Sequence, residues 1–313
     1  MSYSRRFTKL HIKIAFLITR LTGWLQSGDM KKNKPKGELS KAKILTNYFA
    51  RKYFPAIKNL EQQPISAETP EIIWQFWDNQ EGRTTPEIIK ASIESVDKFK
   101  GNFEHRVLNN STIGNYSDLP GYVFDKLNKK QISYALFSDL LRLNLLKNHG
   151  GIWMDATLYM TDFVPENIKK QPFFVFLTDK RTHYPYSFMQ NFFICSQKGN
   201  FLCEAWYQMC VEYWKGEERS IDYFQHQLMF KALVEKNPVA KKLFAEMPHI
   251  SEDEVLQFVG DNLFKKFDAN EWEKIRKSSF FQKTSYRVFG GSEVANPADY
   301  PDSYFSKICE RKL

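Results

Sequence analysis

Between residues 72 and 108 the chain runs through a short apolar stretch, a helix-spaced segment and a second apolar stretch, and few folds accept that order. Ile72-Ile73-Trp74-Gln75-Phe76-Trp77 is β-branched and aromatic and stops at Asp78-Asn79, which predicts a strand entering a loop. Pro86 opens the next stretch, where Ile88, Ile89, Ser92, Ile93 and Val96 recur at helical spacing. Phe103 to Leu108 then reads as a second strand before Asn109-Asn110. A strand, helix and strand this close together form a βαβ unit with a parallel sheet. Such sheets bind ligands beyond the carboxyl ends of their strands.

The segment from Gln131 to Asn148 has a long helical pattern that ends at His149 and Gly150-Gly151, where glycine supplies a left-handed cap. Ile152-Trp153-Met154 follows as a buried strand and delivers Asp155 to its C-terminal end. Asp139 and Arg142 stand three apart on the helix, so they share one face of a mostly apolar element. An intrahelical ion pair is the ordinary reading of that spacing. The neighbouring Asp155, and a glycine turn where backbone can approach a bulky ligand, favour a binding crevice instead. Further strands are expected at 172–178 and 191–196, and helices near 201–215 and 222–236. The last 25 residues show no regular pattern.

Charge separates the N-terminus from the rest. Residues 1–60 carry a net +12 and the remainder −3, out of +9 overall. Phe7, Leu10, Ile14, Leu17, Leu21 and Leu25 fall on one helical face, with Lys9, Lys13 and Arg20 nearly opposite. The uncharged run from Ile14 to Thr19 is far too short to span a bilayer, so this segment reads as a helix lying in an interface with an anionic membrane surface. The alternative is a helix packed on the body with a solvated basic face. Lys31 to Gly37 reads as a charged linker that separates a membrane-associating segment, 1–37, from a folded domain, 38–313, which begins with an aromatic-rich helix over 40–60. A basic tail on a near-neutral body argues against a nucleic-acid-binding core. Cys195, Cys203, Cys210 and Cys309 form no zinc spacing and no disulfide framework, which fits buried thiols in a reducing cytoplasm.

Ser138-Asp139-Leu140-Leu141-Arg142 followed by Gly150-Gly151-Ile152-Trp153-Met154-Asp155-Ala156-Thr157 resembles the core motif of the DXD-type glycosyltransferases of family 32 and their relatives, the glucosylating clostridial toxins included. It is most similar to the bacterial capsular polysaccharide synthesis branch, and Ile72 to Trp77 resembles that branch's first strand. The resemblance covers about residues 70–230. It implies a GT-A type fold, a Rossmann-like nucleotide-binding α/β sandwich, here with a helical C-terminal part and the N-terminal amphipathic helix.

The same resemblance implies a hexosyltransferase acting on a nucleotide-sugar donor, a UDP-sugar, with retention of configuration. The acceptor would be a glycan or lipid-linked glycan of the cell surface, met at the inner face of the membrane. Asp139 and Arg142 match residues that reach the donor's sugar and nucleotide. Trp74 or Phe76 matches the aromatic region that stacks on its base, Gly151 the close backbone, and Asp155 the first carboxylate of the DXD pair. Asn191 and Asp222 are candidate walls of the sugar and acceptor site, although Asp222 reads equally well as a helix N-cap, and His226 reads as a surface residue. Thr157 stands where the second carboxylate is expected. Mn²⁺ or Mg²⁺ held by Asp155 is the implied cofactor, and lysine or arginine could share its electrostatic role. With one carboxylate missing, a non-catalytic nucleotide-sugar-binding or lectin-like protein is the competing expectation.

Overall fold

The computed structural model describes residues 34–63, 70–79, 84–178, 187–288, 291 and 293–313, together with Leu17. The amphipathic segment from Phe7 to Leu25 otherwise lies outside the described residues, as do Lys31 to Asn33 of the expected linker. The rest of that linker is helical. The first described helix spans Lys34–Tyr53, with Pro35 in its first turn, where a missing N–H costs no hydrogen bond. Ala42, Leu45, Tyr48, Phe49 and Tyr53 form its buried face. Phe49 and Tyr53 pack on Tyr213 of the Phe201–Gly216 helix.

Five strands make the central sheet: β1 (Ile72–Phe76), β2 (Glu104–Leu108), β3 (Gly151–Met154), β5 (Phe173–Leu177) and β6 (Met189–Ser196), in the order β2-β1-β3-β6-β5. β2, β1 and β3 are parallel, and β6 is antiparallel to both β3 and β5. The architecture is thus mixed α/β with a parallel-rich sheet. The Glu87–Phe99 helix crosses over between β1 and β2, as the apolar periodicity requires. The chain then returns through the Tyr134–His149 helix to the other side of β1. That reversal makes the carboxyl ends of β1 and β3 a topological switch point, the position at which open α/β sheets bind their ligands.

Local chemistry explains how β3 is entered. Ser133 caps the Tyr134–His149 helix by accepting from the Leu136 N–H at 3.2 Å, and Gly150 ends it at φ 73°. Gly151 follows at φ 102°, and a Cβ there would lie 2.4 Å from the Ile72 carbonyl oxygen. Gly151 therefore stands at the amino end of β3, opposite Asp155, and admits the neighbouring strand rather than a ligand. This corrects its expected place among the donor-binding residues.

A second apolar cluster joins the outer face of the Glu87–Phe99 helix to the C-terminal region, through Ile88, Ile89, Phe258, Trp272, Tyr304 and Ile308. The last 25 residues, expected to be irregular, contain a helix at Tyr304–Cys309, and ahead of them β7 (Phe281–Lys283) pairs antiparallel with β4 (Leu158–Met160). All four cysteines are free and buried, as their apolar settings imply. Among the described residues, no helix is long and apolar enough to cross a membrane.

Candidate active site

Three elements converge on the carboxyl end of β3. The Tyr134–His149 helix contributes Asp139 and Arg142, β3 releases Asp155, and the antiparallel β6 brings Asn191 alongside, because Met154 pairs with Phe193. The Asp155 N–H donates to the Phe192 carbonyl at 2.8 Å, which fixes the backbone at that point.

Arg142 is only 4% exposed and sits at the centre. Its Nη2 lies 3.3 Å from Asp139 Oδ1 and 3.3 Å from Asp155 Oδ1, and its Nη1 donates to the Asn191 carbonyl. The guanidinium also stacks over the Trp153 ring at 5.1 Å. So the intrahelical pair exists, but the same arginine bridges to the strand. Asn191 completes the bracket by donating from Nδ2 to Asp139 Oδ1 at 2.8 Å.

Asp155 is bound from both sides. Trp153 Nε1 donates to Oδ1 at 2.9 Å, and Lys283 Nζ donates to Oδ2 at 3.0 Å. Lys283 Nζ also donates to Thr157 Oγ1. The antiparallel β4–β7 pair sets Lys283 opposite Leu158, and its side chain lies over Phe192 at 5.5 Å. Sequence reading missed Lys283. Nothing local marks it, because it lies 128 residues from Asp155.

The two carboxylates are tuned apart. Burial pushes Asp139 up to about 6, aided by the Asp155 charge and opposed by Arg142 and Asn191. Burial also pushes Asp155 up, but Lys283, Arg142 and the Trp153 hydrogen bond outweigh it and hold the group below the usual carboxylate value. The raised Asp139 has a consequence for stability. With a folded-state pKa above the unfolded one, its stabilising contribution is complete at low pH and is lost as pH rises through about 6. Asp139→Asn is therefore expected to raise stability at pH 8 by about 2 kcal/mol, roughly 3 °C in Tm, and to match wild type near pH 4. Melting curves across pH check this, and a lower Tm for the variant at pH 8 would refute it.

Several expected residues lie elsewhere. Trp74 is fully buried; its indole N–H donates to the Gly150 carbonyl at 2.9 Å, and its ring packs on Tyr116 and His149. Phe76 is buried against Tyr134 and Phe137. Neither ring is open for stacking on a base. The half-exposed aromatic at the carboxyl end of β1 is Trp77, in edge contact with Tyr286 at 5.3 Å. Asp222 pairs with Lys41 and accepts from the Phe224 N–H at 2.7 Å, so it holds the turn before the Gln225–Lys236 helix, close to its N-cap reading. His226 is buried rather than on the surface. Its ring lies 4.3 Å from Trp206, its Nδ1 faces Cys210 Sγ at 3.6 Å, and burial together with Arg142 keeps it neutral.

The donor set does not fit a divalent cation. Among the described residues no three His, Cys, Asp or Glu side chains are grouped to hold one. Asp155 already faces an ammonium and a guanidinium, which repel a dication, and the carboxylate expected two residues on is the hydroxyl of Thr157.

The solved structure of PaToxG Glycosyltransferase is similar to this chain at 16% identity and a TM-score of 0.44, covering 77% of this chain and 98% of that one. No curated protein sequence matches significantly. The family described as "Capsular polysaccharide synthesis protein" matches residues 27–308, well beyond the 70–230 that the motifs alone cover. The chain belongs to the capsular polysaccharide synthesis protein family.

Proposed function

We propose that this protein is a glycosyltransferase of the GT-A type that moves a sugar from a UDP-sugar to a capsular or other cell-surface polysaccharide intermediate, with retention of configuration. The observation that carries the reading is the bracket of Asp139, Asn191, Arg142, Asp155 and Lys283 at the switch point of a parallel-rich sheet. Opposed charges are held there in fixed geometry, two of them carboxylates tuned apart. That is what a reaction with an anionic leaving group and a cationic sugar centre needs.

In this reading the bond between the anomeric carbon and the β-phosphate oxygen breaks, and its electron pair leaves with the diphosphate. The acceptor hydroxyl oxygen forms the new bond on the same face and gives its proton to the departing diphosphate. Asp139 and Asn191 orient the donor sugar through its hydroxyls, and Arg142 stabilises developing negative charge. Trp77, with Tyr286 behind it, takes the base-stacking role expected of Trp74 or Phe76.

Hydrolysis of UDP-, GDP- and CMP-sugars by the purified protein tests this reading. Turnover of one donor, strongest for UDP, is the expected result. Tight binding of a nucleotide-sugar without any turnover would favour the non-catalytic alternative. The acceptor side rests on the N-terminal segment, which we place on the anionic cytoplasmic leaflet. Removal of residues 1–33, which leaves the Lys34–Tyr53 helix whole, should abolish co-sedimentation with anionic vesicles and preserve donor hydrolysis. Unchanged co-sedimentation would refute the placement.

A further inference from the structure

We propose that Lys283 replaces the divalent cation of a DXD site, so that the diphosphate is held by Lys283 and Arg142 and transfer needs no metal. The assignment rests on the transferase reading above and names the group that receives the leaving diphosphate.

Lys283 ends β7, where Phe281 and Gln282 are fully buried and Leu158 is its registered partner. The Thr284 N–H and hydroxyl both donate to the Thr157 carbonyl at 2.8 Å, which locks β7 to the turn that carries Asp155. The ammonium is thus held by the same backbone that positions the carboxylate, as a metal would be held by its ligands.

The donors agree with this role. An ammonium has three N–H groups. Among the described residues two are used, on Asp155 Oδ2 and Thr157 Oγ1, which leaves a third for an oxygen of a bound anion. The Lys283 side chain keeps 25% of its surface exposed and that of Asp155 24%, so the pair is reached from the crevice rather than sealed in the core.

Two carboxylates around a divalent cation sum to zero. Asp155 with Lys283 and a neutral Thr157 also sums to zero, so loss of the second carboxylate and loss of the metal compensate one another. A threonine at 157 is then a working part of the site: a carboxylate there would share the ammonium, while the hydroxyl accepts one hydrogen bond and leaves the charge for the substrate.

The test uses full-length protein treated with EDTA, titrated calorimetrically with UDP, GDP, UMP and GMP, and assayed with the matching nucleotide-sugars. Wild type is expected to bind a diphosphate more tightly than its monophosphate in EDTA, with turnover unchanged by Mn²⁺ or Mg²⁺. Lys283→Met keeps the stem over Phe192 and should weaken the diphosphate by roughly 30-fold, with the monophosphate nearly unaffected. Its turnover should fall about 100-fold. Lys283→Arg, which keeps the charge, should recover most of the diphosphate affinity and shows that the loss in Lys283→Met is not a folding defect. A wild type that needs metal to bind diphosphate or to turn over, or a folded Lys283→Met that binds diphosphate as wild type does, overturns the assignment. Absence of diphosphate binding by wild type with and without metal overturns the transferase reading, and the assignment with it.

Discussion

Asp155→Asn is expected to lower turnover by about 1000-fold while the protein stays folded. The residue lies just past β3 at the rim of the crevice, and the amide keeps the shape of the carboxylate. What it removes is the charge between Arg142 and Lys283, which lie 3.3 Å and 3.0 Å from opposite oxygens. Without that charge the two cations repel each other and the Lys283 ammonium faces either an amide N–H or a weaker acceptor, so both lose their fixed aim. The cost to stability should stay near 1–2 kcal/mol, since only hydrogen bonds to a charged group are weakened.

Nucleotide affinity gives this variant its diagnostic value. If Asp155 serves to aim two cations, the variant is more positive and binds nucleoside diphosphate in EDTA at least as well as wild type. If Asp155 instead carried a divalent ion, affinity would fall together with turnover, and the fall would depend on metal. Calorimetry beside the donor assay separates the two. Near wild-type turnover by the folded variant would remove Asp155 from the chemistry.

The elements that frame the site were legible because they are long or strongly patterned. The expected unit of strand, helix and strand appears as Ile72–Phe76, Glu87–Phe99 and Glu104–Leu108. The helix expected over 131–148 spans Tyr134–His149, and Asp155 stands at the end of its strand as expected. Where reading failed, a physical signal was missing. Ile72 to Trp77 is apolar at every position but Gln75, so period-two alternation gives no sign of which aromatic side chain faces a ligand; of its three aromatic residues only the last, Trp77, is half open. A pair of glycines announces a close approach but not the partner, which for Gly151 is the Ile72 carbonyl.

Lys283 was the least legible of all. β4 and β7 have three residues each, too few for any periodicity, and their pairing joins segments about two-fifths of the chain apart. A basic residue in such a segment looks like surface. His226 failed in the opposite direction, since a polar residue on a helix counts as exposed until the Trp206 ring is found against it.

Arg142→Met should be the most destabilising change in the site, by about 3–5 kcal/mol, because it leaves buried partners without their charge. Arg142 is 4% exposed and serves Asp139, Asp155, the Asn191 carbonyl and Ser138 together, while methionine fills the volume over Trp153 and replaces none of these bonds. The loss should depend on pH in a definite sense. Arg142 is among the groups that hold Asp139 down, so its removal lets that carboxyl rise above about 6, and the ionised form becomes costlier at pH 8 than at pH 5. The deficit therefore shrinks on acidification. It should also shrink when Asp139→Asn is added, since the amide removes one of the two stranded charges, and a double-mutant cycle at pH 8 should show non-additivity of 1 kcal/mol or more, about the range for contacting charged groups. Additive losses with no pH dependence would mean that the arginine acts through packing alone. The same proteins decide between pair and site. A folded Arg142→Met that melts early but binds nucleoside diphosphate as wild type does would show the bridge between the Tyr134–His149 helix and Asp155 to be structural only. A parallel loss of nucleotide affinity, measured below the melting transition, would place the guanidinium on the donor.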